Sequence, residues 1–262
     1  MKVALHGATG RMGQALVRLI HQAPDLELVG AVAAPQDPAI GQDVGVLAGV
    51  GNIGVAASAD TGSALLGAEV VIDFSSVKAI PNLVAHVTKS KIPLVCCTTG
   101  LDEELKQLVA KASQSVPVLW AANTSLGVQV LAEIAEQAVR RLGPGYDVEI
   151  VEIHHRKKVD SPSGTAKRLA DAIKAARPGL NEVYGREGLV GARKDDEMAV
   201  FGIRGGDVVG DHTVYLLGPG ERIELSHRAS SRELFAHGAL SAARFLAKQP
   251  AGKLYTIADV LG

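Results

Sequence analysis

The sequence predicts an α/β fold, with a parallel β-sheet in a first domain and a smaller α+β domain with a mixed sheet inserted into it. In the first half of the chain, short apolar runs alternate with helical patterns, which is typical of parallel strands joined by crossover helices. After Asn123, the later apolar runs follow one another without helices between them, which indicates a mixed or antiparallel sheet. We therefore assign residues 1–125 and 233–262 to the first domain and residues 126–232 to the second.

The elements of the first domain follow from the spacing of its apolar residues. Short apolar runs predict strands, and they cover residues 2–6, 26–33, 70–73, 94–97 and 118–121. Patterns with an apolar residue at every third or fourth position predict helices, and these cover residues 12–22, 76–90 and 102–115. A glycine-rich stretch at residues 34–54 lacks a clear period, so we expect a surface loop there.

The inserted domain begins with an amphipathic helical pattern and ends with consecutive strands. Its predicted helices cover residues 128–142 and 163–176, and its predicted strands cover residues 147–155, 199–204, 211–217 and 222–229. A final helix at residues 232–248 and an apolar tail at residues 254–261 are expected to return to the first domain. The first domain is therefore discontinuous in sequence.

Composition limits the possible functions. The chain has 262 residues with 47% hydrophobic content, and its 27 Lys and Arg against 28 Asp and Glu exclude a generally basic nucleic-acid surface. The two cysteines, Cys96 and Cys97, are adjacent and cannot form a disulfide framework, so we expect a reducing cytoplasm. The amino terminus lacks a signal-peptide pattern, and no run of about 18 apolar residues occurs, so we expect neither export nor a membrane span.

A glycine-rich turn, GATGRMG, follows the first predicted strand and begins the first helix. Gly7 permits a tight turn, Gly10 permits close approach of a pyrophosphate, and Gly13 permits packing of helix on strand. Thr9 stands where the usual dinucleotide pattern has its second glycine. The context predicts a Rossmann-like sheet that binds a dinucleotide, and the alternative is a close-packed turn without a ligand.

The end of the second predicted strand bears on the choice of cofactor. NAD-binding proteins usually carry an acid there for the adenosine ribose, but Ala33 and Ala34 occupy this position and Asp37 follows a few residues late. Arg11, within the glycine turn, could pair with a 2'-phosphate instead, because a guanidinium matches phosphate oxygens. We therefore expect NADPH to be preferred, with NADH possible. The alternative for Arg11 is a surface side chain that covers its own helix.

The segment EIHHRKKVDSPSGTA, residues 152–166, concentrates positive charge in front of a predicted helix start. Two histidines, an arginine and two lysines are followed by a turn whose backbone amides are free to bind an anion. This pattern predicts a carboxylate-binding site, and an imidazole within it could donate a proton near neutral pH. The alternative is a solvated basic loop that caps a helix.

Together, GATGRMG, the TTG at residues 98–100, HHRKKVDSPSGTA, GDVVGDHTV and HRASSRELFAHGAL resemble the 4-hydroxy-tetrahydrodipicolinate reductase family, also called dihydrodipicolinate reductase, of lysine biosynthesis. The resemblance covers nearly the whole chain. It implies reduction of a cyclic imine-type dicarboxylate to tetrahydrodipicolinate by a hydride from NADPH or NADH. It also implies a homotetramer that acts on a small-molecule substrate rather than on nucleic acid or a membrane.

The resemblance implies residue roles as well. His154 would donate the proton, and Lys158 would hold the substrate and stabilise its developing negative charge. The substrate would also be bound by His155, Ser163, Gly164 and Thr165. The cofactor would be bound by Gly7, Thr9, Gly10, Arg11, Met12, Gly13, Phe74, Ser75, Thr98, Gly100, Ala122 and Asn123. The chain departs from the family where it has Thr124 in place of a frequent aromatic residue and no acid near Ala34.

Two other functions remain compatible with the residues. A semialdehyde-type dehydrogenase would use Cys96 or Cys97 as a nucleophile, which requires an accessible thiol with a lowered pKa. A non-catalytic nucleotide-sensing protein would bind the cofactor without turnover. We expect no metal site, because adjacent histidines on a strand point to opposite faces.

Overall fold

The computed structural model describes residues 1–262, and the chain divides into two compact units. Unit 1 consists of Met1–Ser125 and Glu233–Gly262, and unit 2 consists of Leu126–Arg232. Unit 1 contains a seven-stranded sheet and unit 2 a five-stranded sheet. The predicted α/β fold, with a Rossmann-like parallel sheet and a second mixed sheet, is confirmed.

The helices and strands alternate in unit 1 and are grouped in unit 2. The strands are β1 (Lys2–His6), β2 (Glu27–Val32), β3 (Ala57–Ser58), β4 (Val70–Asp73), β5 (Leu94–Cys96), β6 (Val118–Trp120), β7 (Asp147–His154), β8 (Asn181–Val183), β9 (Glu197–Arg204), β10 (Gly210–Gly218), β11 (Glu221–Ala229) and β12 (Leu254–Tyr255). The helices are α1 (Arg11–Gln22), α2 (Val44–Ala48), α3 (Thr61–Ala64), α4 (Ile80–Ser90), α5 (Glu103–Ala112), α6 (Leu126–Leu142), α7 (Gly164–Ala176), α8 (Glu233–Leu246) and α9 (Ile257–Leu261). No helix is both long and apolar enough to cross a membrane.

The sheet of unit 1 is entirely parallel, in the order β12-β6-β5-β4-β1-β2-β3. Its central strand β4, with the sequence VVID, is buried at every position, as expected for a strand covered on both faces. The order of strands reverses between β1 and β4. In open α/β sheets, ligands bind beyond the carboxyl ends of the strands at such a switch point.

The sheet of unit 2 is mixed, in the order β11-β10-β7-β9-β8, with antiparallel pairs at β10 and parallel pairs at β9. In β7, buried and half-buried residues alternate strictly along the strand. Ile150 of β7 packs with Leu169 and Ile173 of α7 in the apolar core of this unit. Because side chains on a strand alternate between faces, Glu152 and His154 lie on the same buried side as Ile150.

Residues 34–54 do not form the surface loop without helix that the sequence predicted, because α2 lies within them. The side chain of Asp43 caps this helix and also accepts hydrogen bonds from the backbone amides of Ile53 and Val55. A single carboxylate thus organises a segment in which apolar periodicity is weak. The sequence analysis also missed the short elements β3, α3 and β8. Each has fewer than five residues, which is too short to show a clear apolar period.

Helix α8 holds the chain segment that follows β6. The hydroxyl of Thr124 donates a hydrogen bond of 2.6 Å to the carbonyl oxygen of Phe235 in α8. A Cβ atom added at Gly238 would lie 1.7 Å from the carbonyl oxygen of Thr124, so only glycine permits this close approach. The contact fixes the position of the strand end after β6.

We expect Gly238→Ala to destabilise unit 1, although alanine normally favours a helix by about 1 kcal/mol over glycine. The added methyl group must displace the backbone at Thr124, and overpacking of this kind costs about 1–3 kcal/mol. Urea unfolding measures the change, with Gly185→Ala as the control because nothing lies within 4 Å of a Cβ there. Equal unfolding free energies for the two variants would contradict the packing argument.

Candidate active site

The glycine turn after β1 contains two glycines required by packing and one that faces open space. Gly7 has a φ of +84°, and a Cβ there would lie 2.5 Å from the carbonyl oxygen of Phe74. A Cβ at Gly13 would lie 2.3 Å from the carbonyl oxygen of Ala8. At Gly10, the only neighbouring atom is the carbonyl oxygen of Gly7 at 3.4 Å. The surface at Gly10 is therefore the part of the turn that a ligand can approach closely.

A cavity of about 400 Å³ lies beyond the carboxyl ends of the strands of unit 1. It is lined by Gly10, Arg11, Met12, Phe74, Ser75, Cys97, Thr98, Thr99, Ala121, Ala122, Asn123, Thr124 and Phe235. Most of the residues that the sequence analysis assigned to a cofactor thus come together. Gly7, Thr9, Gly13 and Gly100 do not line the cavity, and they shape or flank the turns around it.

Two features of the cavity suit a dinucleotide. Helix α1 begins after Gly10 without a side-chain cap, so no side chain occupies the positively polarised end of the helix. The hydroxyl of Ser75 is buried in the cavity wall and has no hydrogen-bond partner within the protein. A buried hydroxyl without a partner is costly, so a polar ligand atom beside it is favourable.

Beneath the cavity, a buried carboxylate connects the ends of three strands. Asp73 of β4 is fully buried, and its two oxygens contact Nδ1 of His6 at 2.8 Å and the hydroxyl of Thr98 at 2.7 Å. The backbone amide of Ser75 also donates to Asp73. Because the Thr98 hydroxyl donates to Asp73, this side chain supports the strand ends and is not free to donate to a cofactor. The sequence analysis assigned no site role to either His6 or Asp73.

An acidic side chain does lie at the glycine turn. The hydroxyl of Thr9 donates a hydrogen bond of 2.6 Å to Asp37, whose other oxygen accepts from the amide of Ala39. These hydrogen bonds, that from Thr9 above all, lower the pKa of Asp37, so the carboxylate is ionised at neutral pH. In the sequence, Asp37 follows the end of β2 by too many residues for the usual ribose-binding acid. In the structure, its side chain nevertheless contacts Thr9 of the glycine turn.

The two cysteines lack the properties of a nucleophile. Cys96 is fully buried, and Cys97 is only 3% exposed. Burial raises the pKa of both thiols, and the nearby charge of Asp73 raises it further. A covalent mechanism needs an accessible thiolate. The structure therefore contradicts the accessible thiol required by the semialdehyde-type alternative.

In unit 2, the end of β7 carries a buried pair of Glu152 and His154. Oε2 of Glu152 lies 2.5 Å from Nδ1 of His154, and the guanidinium of Arg204 donates to both carboxylate oxygens at 2.8 and 2.7 Å. The amide of Ser163 supplies a further hydrogen bond of 3.1 Å to Oε1. The sequence analysis did not identify Glu152 or Arg204. The spacing of two residues on a predicted strand was the available signal for Glu152.

His154 also contacts a second buried imidazole. The rings of His154 and His212 meet edge to face, with 5.1 Å between their centroids. Nε2 of His212 lies 3.0 Å from the hydroxyl of Ser163, which caps α7 by accepting from the amide of Ala166. Burial, together with the nearby His154, lowers the pKa of His212 to about 3, so this ring is neutral at physiological pH.

The pKa of His154 lies below its ordinary value, because burial disfavours the charged ring. The hydrogen bond and negative charge of Glu152 oppose this effect, while Lys158 and Arg204 add to it. For Glu152, burial raises the pKa, but the hydrogen bonds from Arg204 and His154 bring it below the ordinary value. At neutral pH, Glu152 is therefore ionised and His154 is only partly protonated.

The other predicted substrate residues lie around this pair. Nζ of Lys158 contacts both oxygens of Asp160, at 2.7 and 2.9 Å. Nε2 of His155 lies 3.1 Å from the guanidinium of Arg232. Gly164 and Thr165 form the first turn of α7, where backbone amides point out of the helix end. Unit 2 thus contains an imidazole, an ammonium group and the start of a helix among the predicted substrate residues.

Comparisons with known proteins match both units of the chain to one family. The model for the dihydrodipicolinate reductase N-terminus matches residues 1–124, and the model for the C-terminus matches residues 127–261. A 4-hydroxy-tetrahydrodipicolinate reductase of Anaeromyxobacter sp. (strain Fw109-5) is 48% identical, over 100% of this chain and 98% of that protein. The enzyme of the same name from Cupriavidus necator is 44% identical, over 100% of this chain and 99% of its own length.

Solved structures show the same fold. The dipicolinate-bound dihydrodipicolinate reductase from Paenisporosarcina sp. TG-14 aligns with a TM-score of 0.78 at 22% identity, and the match covers 98% of this chain and 97% of that one. A probable dehydrogenase from Thermotoga maritima aligns with a TM-score of 0.62 at 13% identity, and the match covers 99% and 92% of the two chains. At these identities, the likeness concerns the fold alone.

Proposed function

The chain belongs to the dihydrodipicolinate reductase family, and on this premise we propose how its residues carry out the family's reaction. It is an NAD(P)H-dependent oxidoreductase of lysine biosynthesis that reduces 4-hydroxy-tetrahydrodipicolinate to tetrahydrodipicolinate. When bound, the reduced nicotinamide supplies the hydride. The protein must then bind two carboxylates, stabilise the electron density that reaches the substrate, and supply a proton.

The contact between Glu152 and His154 carries the assignment of the proton donor. Because Nδ1 of His154 is bound to a carboxylate, Nε2 is the ring nitrogen that can give its proton to the substrate. Lys158 supplies the positive charge that stabilises the reduced substrate as negative charge develops. The first amides of α7, with the hydroxyl of Thr165, bind a substrate carboxylate at the helix start. His155 supports the same anion.

We assign the dinucleotide to the cavity of unit 1. The open backbone at Gly10 and the first amides of α1 suit a pyrophosphate, and the hydroxyl of Ser75 suits a polar group of the cofactor. At the adenosine end, Arg11 attracts a 2'-phosphate, and the carboxylate of Asp37 accepts from a ribose hydroxyl. Arg11 supports the preference for NADPH, and Asp37 supports the use of NADH as well.

The outer face of the unit 2 sheet supports association of copies of this chain, and the homotetramer is what the family resemblance implies. The face opposite α6 and α7 carries Val151, Phe201, Ile203, Tyr215 and Leu217. Ile203 is 48% exposed and Leu217 is 36% exposed, so these two side chains are not covered within the chain, whereas the guanidinium of Arg186 lies over the ring of Phe201. Large exposed apolar surfaces mark association sites.

The proposed cytoplasmic location is supported by the family's biosynthetic role and by the two cysteines, which do not pair with each other.

His154→Gln is expected to lower kcat by about 10²–10⁴-fold, because a positioned general acid contributes this much. Cofactor affinity should stay unchanged, since His154 does not line the cavity to which the cofactor is assigned. Steady-state oxidation of NADPH with freshly generated substrate measures turnover. Near-normal turnover would remove His154 from the reaction.

Lys158→Ala is expected to raise KM and to lower kcat in the same assay. The control is Lys157→Ala, which changes an exposed neighbouring lysine and should leave both constants unchanged.

Arg11→Ala is expected to weaken NADPH binding by about 10- to 100-fold and NADH binding much less, because a charged hydrogen bond to phosphate is lost. Asp37→Asn is expected to shift the preference the other way, towards NADPH. Without its negative charge, the side chain no longer repels a 2'-phosphate, and it binds a ribose hydroxyl of NADH less strongly. Calorimetric titration with each cofactor gives the four dissociation constants. Equal losses for both cofactors in Arg11→Ala would make that side chain structural only.

Ile203→Glu combined with Leu217→Glu is expected to dissociate the tetramer, because two charges would enter an apolar interface. Light scattering coupled to gel filtration measures the mass of the assembly. Val159→Glu is the control, since Val159 is 98% exposed in a loop outside this sheet face. A wild-type protein that elutes as a monomer, or a double variant that stays tetrameric, would overturn the proposal.

A further inference from the structure

Glu152 is a fully buried carboxylate whose hydrogen-bonding capacity is nearly filled. It receives hydrogen bonds from Arg204 at both oxygens, from the amide of Ser163, and from Nδ1 of His154. These partners come from β7, from β9 and from the start of α7. Removing a carboxylate from water is costly, and only donors in good geometry offset this cost. One of these donors is the imidazole of the proposed proton donor.

The neighbouring strand is shaped to receive this carboxylate. Gly202 of β9 pairs with Glu152 across the parallel ladder, and Arg204 pairs with His154. A Cβ at Gly202 would lie 2.9 Å from Oε1 of Glu152 and 2.3 Å from the hydroxyl of Ser161. Gly202 therefore leaves the space that the carboxylate fills, and Arg204 follows two residues later to bind it.

We propose that Glu152 is the positioning residue for His154, that it accepts from Nδ1–H so that Nε2 delivers the proton, and that Arg204 tunes this pair by sharing the same carboxylate. The proposal rests on the proposed role of His154 as the proton donor. The Nε2–H bond of the imidazolium breaks as the substrate takes the proton. His154 is left as the neutral Nδ1–H tautomer, still bound to Glu152, and water restores the Nε2 proton. Glu152 stays ionised throughout because Arg204 holds its charge.

The charged groups around His154 act in opposite directions. Glu152, on its own strand, stabilises the imidazolium, whereas Arg204 on β9 and Lys158 in the following loop destabilise it. His212 on β10 faces the ring but stays neutral. Removing the negative charge of Glu152 must lower the pKa of His154, and removing the positive charge of Arg204 must raise it. Opposite shifts show that both charges act on the ring of His154, and the tautomer of the ring shows whether Glu152 also orients it.

The test compares Glu152→Gln and Arg204→Met in the full-length enzyme, with kcat measured across pH. Because protonated His154 is the active form, kcat falls as pH rises through its pKa. Glu152→Gln is expected to move this fall to lower pH and to reduce kcat near neutral pH by about 10²-fold, with little change in KM. Arg204→Met is expected to move the fall to higher pH. Glu182→Gln removes a partly buried carboxylate of unit 2 that is ion-paired with Lys174, and it should leave the profile unchanged.

A nitrogen-15 NMR titration of the histidine rings follows the same pKa without turnover, with the His154 signal assigned from its loss in His154→Gln. We expect the Nδ1–H tautomer in the wild type and its loss in Glu152→Gln. If either single variant fails to fold, the double variant removes both charges together. It should fold, lose the tautomer preference, and regain neither the wild-type kcat nor its pH profile.

The outcomes separate the two proposals. Unchanged turnover in His154→Gln would overturn the role of His154, while the NMR titration would still report the control of its ring by Glu152 and Arg204. Loss of turnover in His154→Gln, together with pH profiles for Glu152→Gln and Arg204→Met that match the wild type or shift in the same direction, would overturn the positioning role alone.

Discussion

A carboxylate buried away from water must be surrounded by hydrogen-bond donors, and this constraint organises both units of the protein. Asp73 in unit 1 collects Nδ1 of His6, the hydroxyl of Thr98 and the amide of Ser75. Glu152 in unit 2 collects Arg204, His154 and the amide of Ser163. Each carboxylate joins the ends of strands that are distant in sequence. Since strand ends carry the candidate site residues, satisfying these two charges also places the chemistry.

The glycines of the first turn illustrate how packing and ligand binding divide within one motif. Gly7 and Gly13 are required because backbone atoms stand where a Cβ would lie, whether or not a cofactor binds. Gly10 meets no such obstacle, so its small size matters only for a ligand that approaches from outside. The same glycine pattern therefore contains both a folding requirement and a binding requirement, and the identity of the residue alone does not separate them.

The fold was largely predictable because its signals are local and repeat along the chain. Apolar runs of strand length, helical spacing between them and the glycine turn after β1 are all properties of short segments. The predictions were weakest where a segment is organised by a distant polar group, as in residues 34–54 around Asp43. The candidate site follows the same rule, since the HHRKK segment is continuous in sequence, whereas Arg204 reaches Glu152 across 52 positions.

The sequence by itself determined the order of the longer strands and helices, the site of the glycine turn and the charged segment before α7, because each is encoded by neighbouring residues. Only the tertiary structure decided the partners of the charges. It brought Asp37 to Thr9, buried both cysteine thiols, and joined Arg204 and Ser163 to the carboxylate beside His154. Hydrogen bonds and burial act over a few ångströms in space, so their effect depends on how the chain folds back and cannot be read from positions along it.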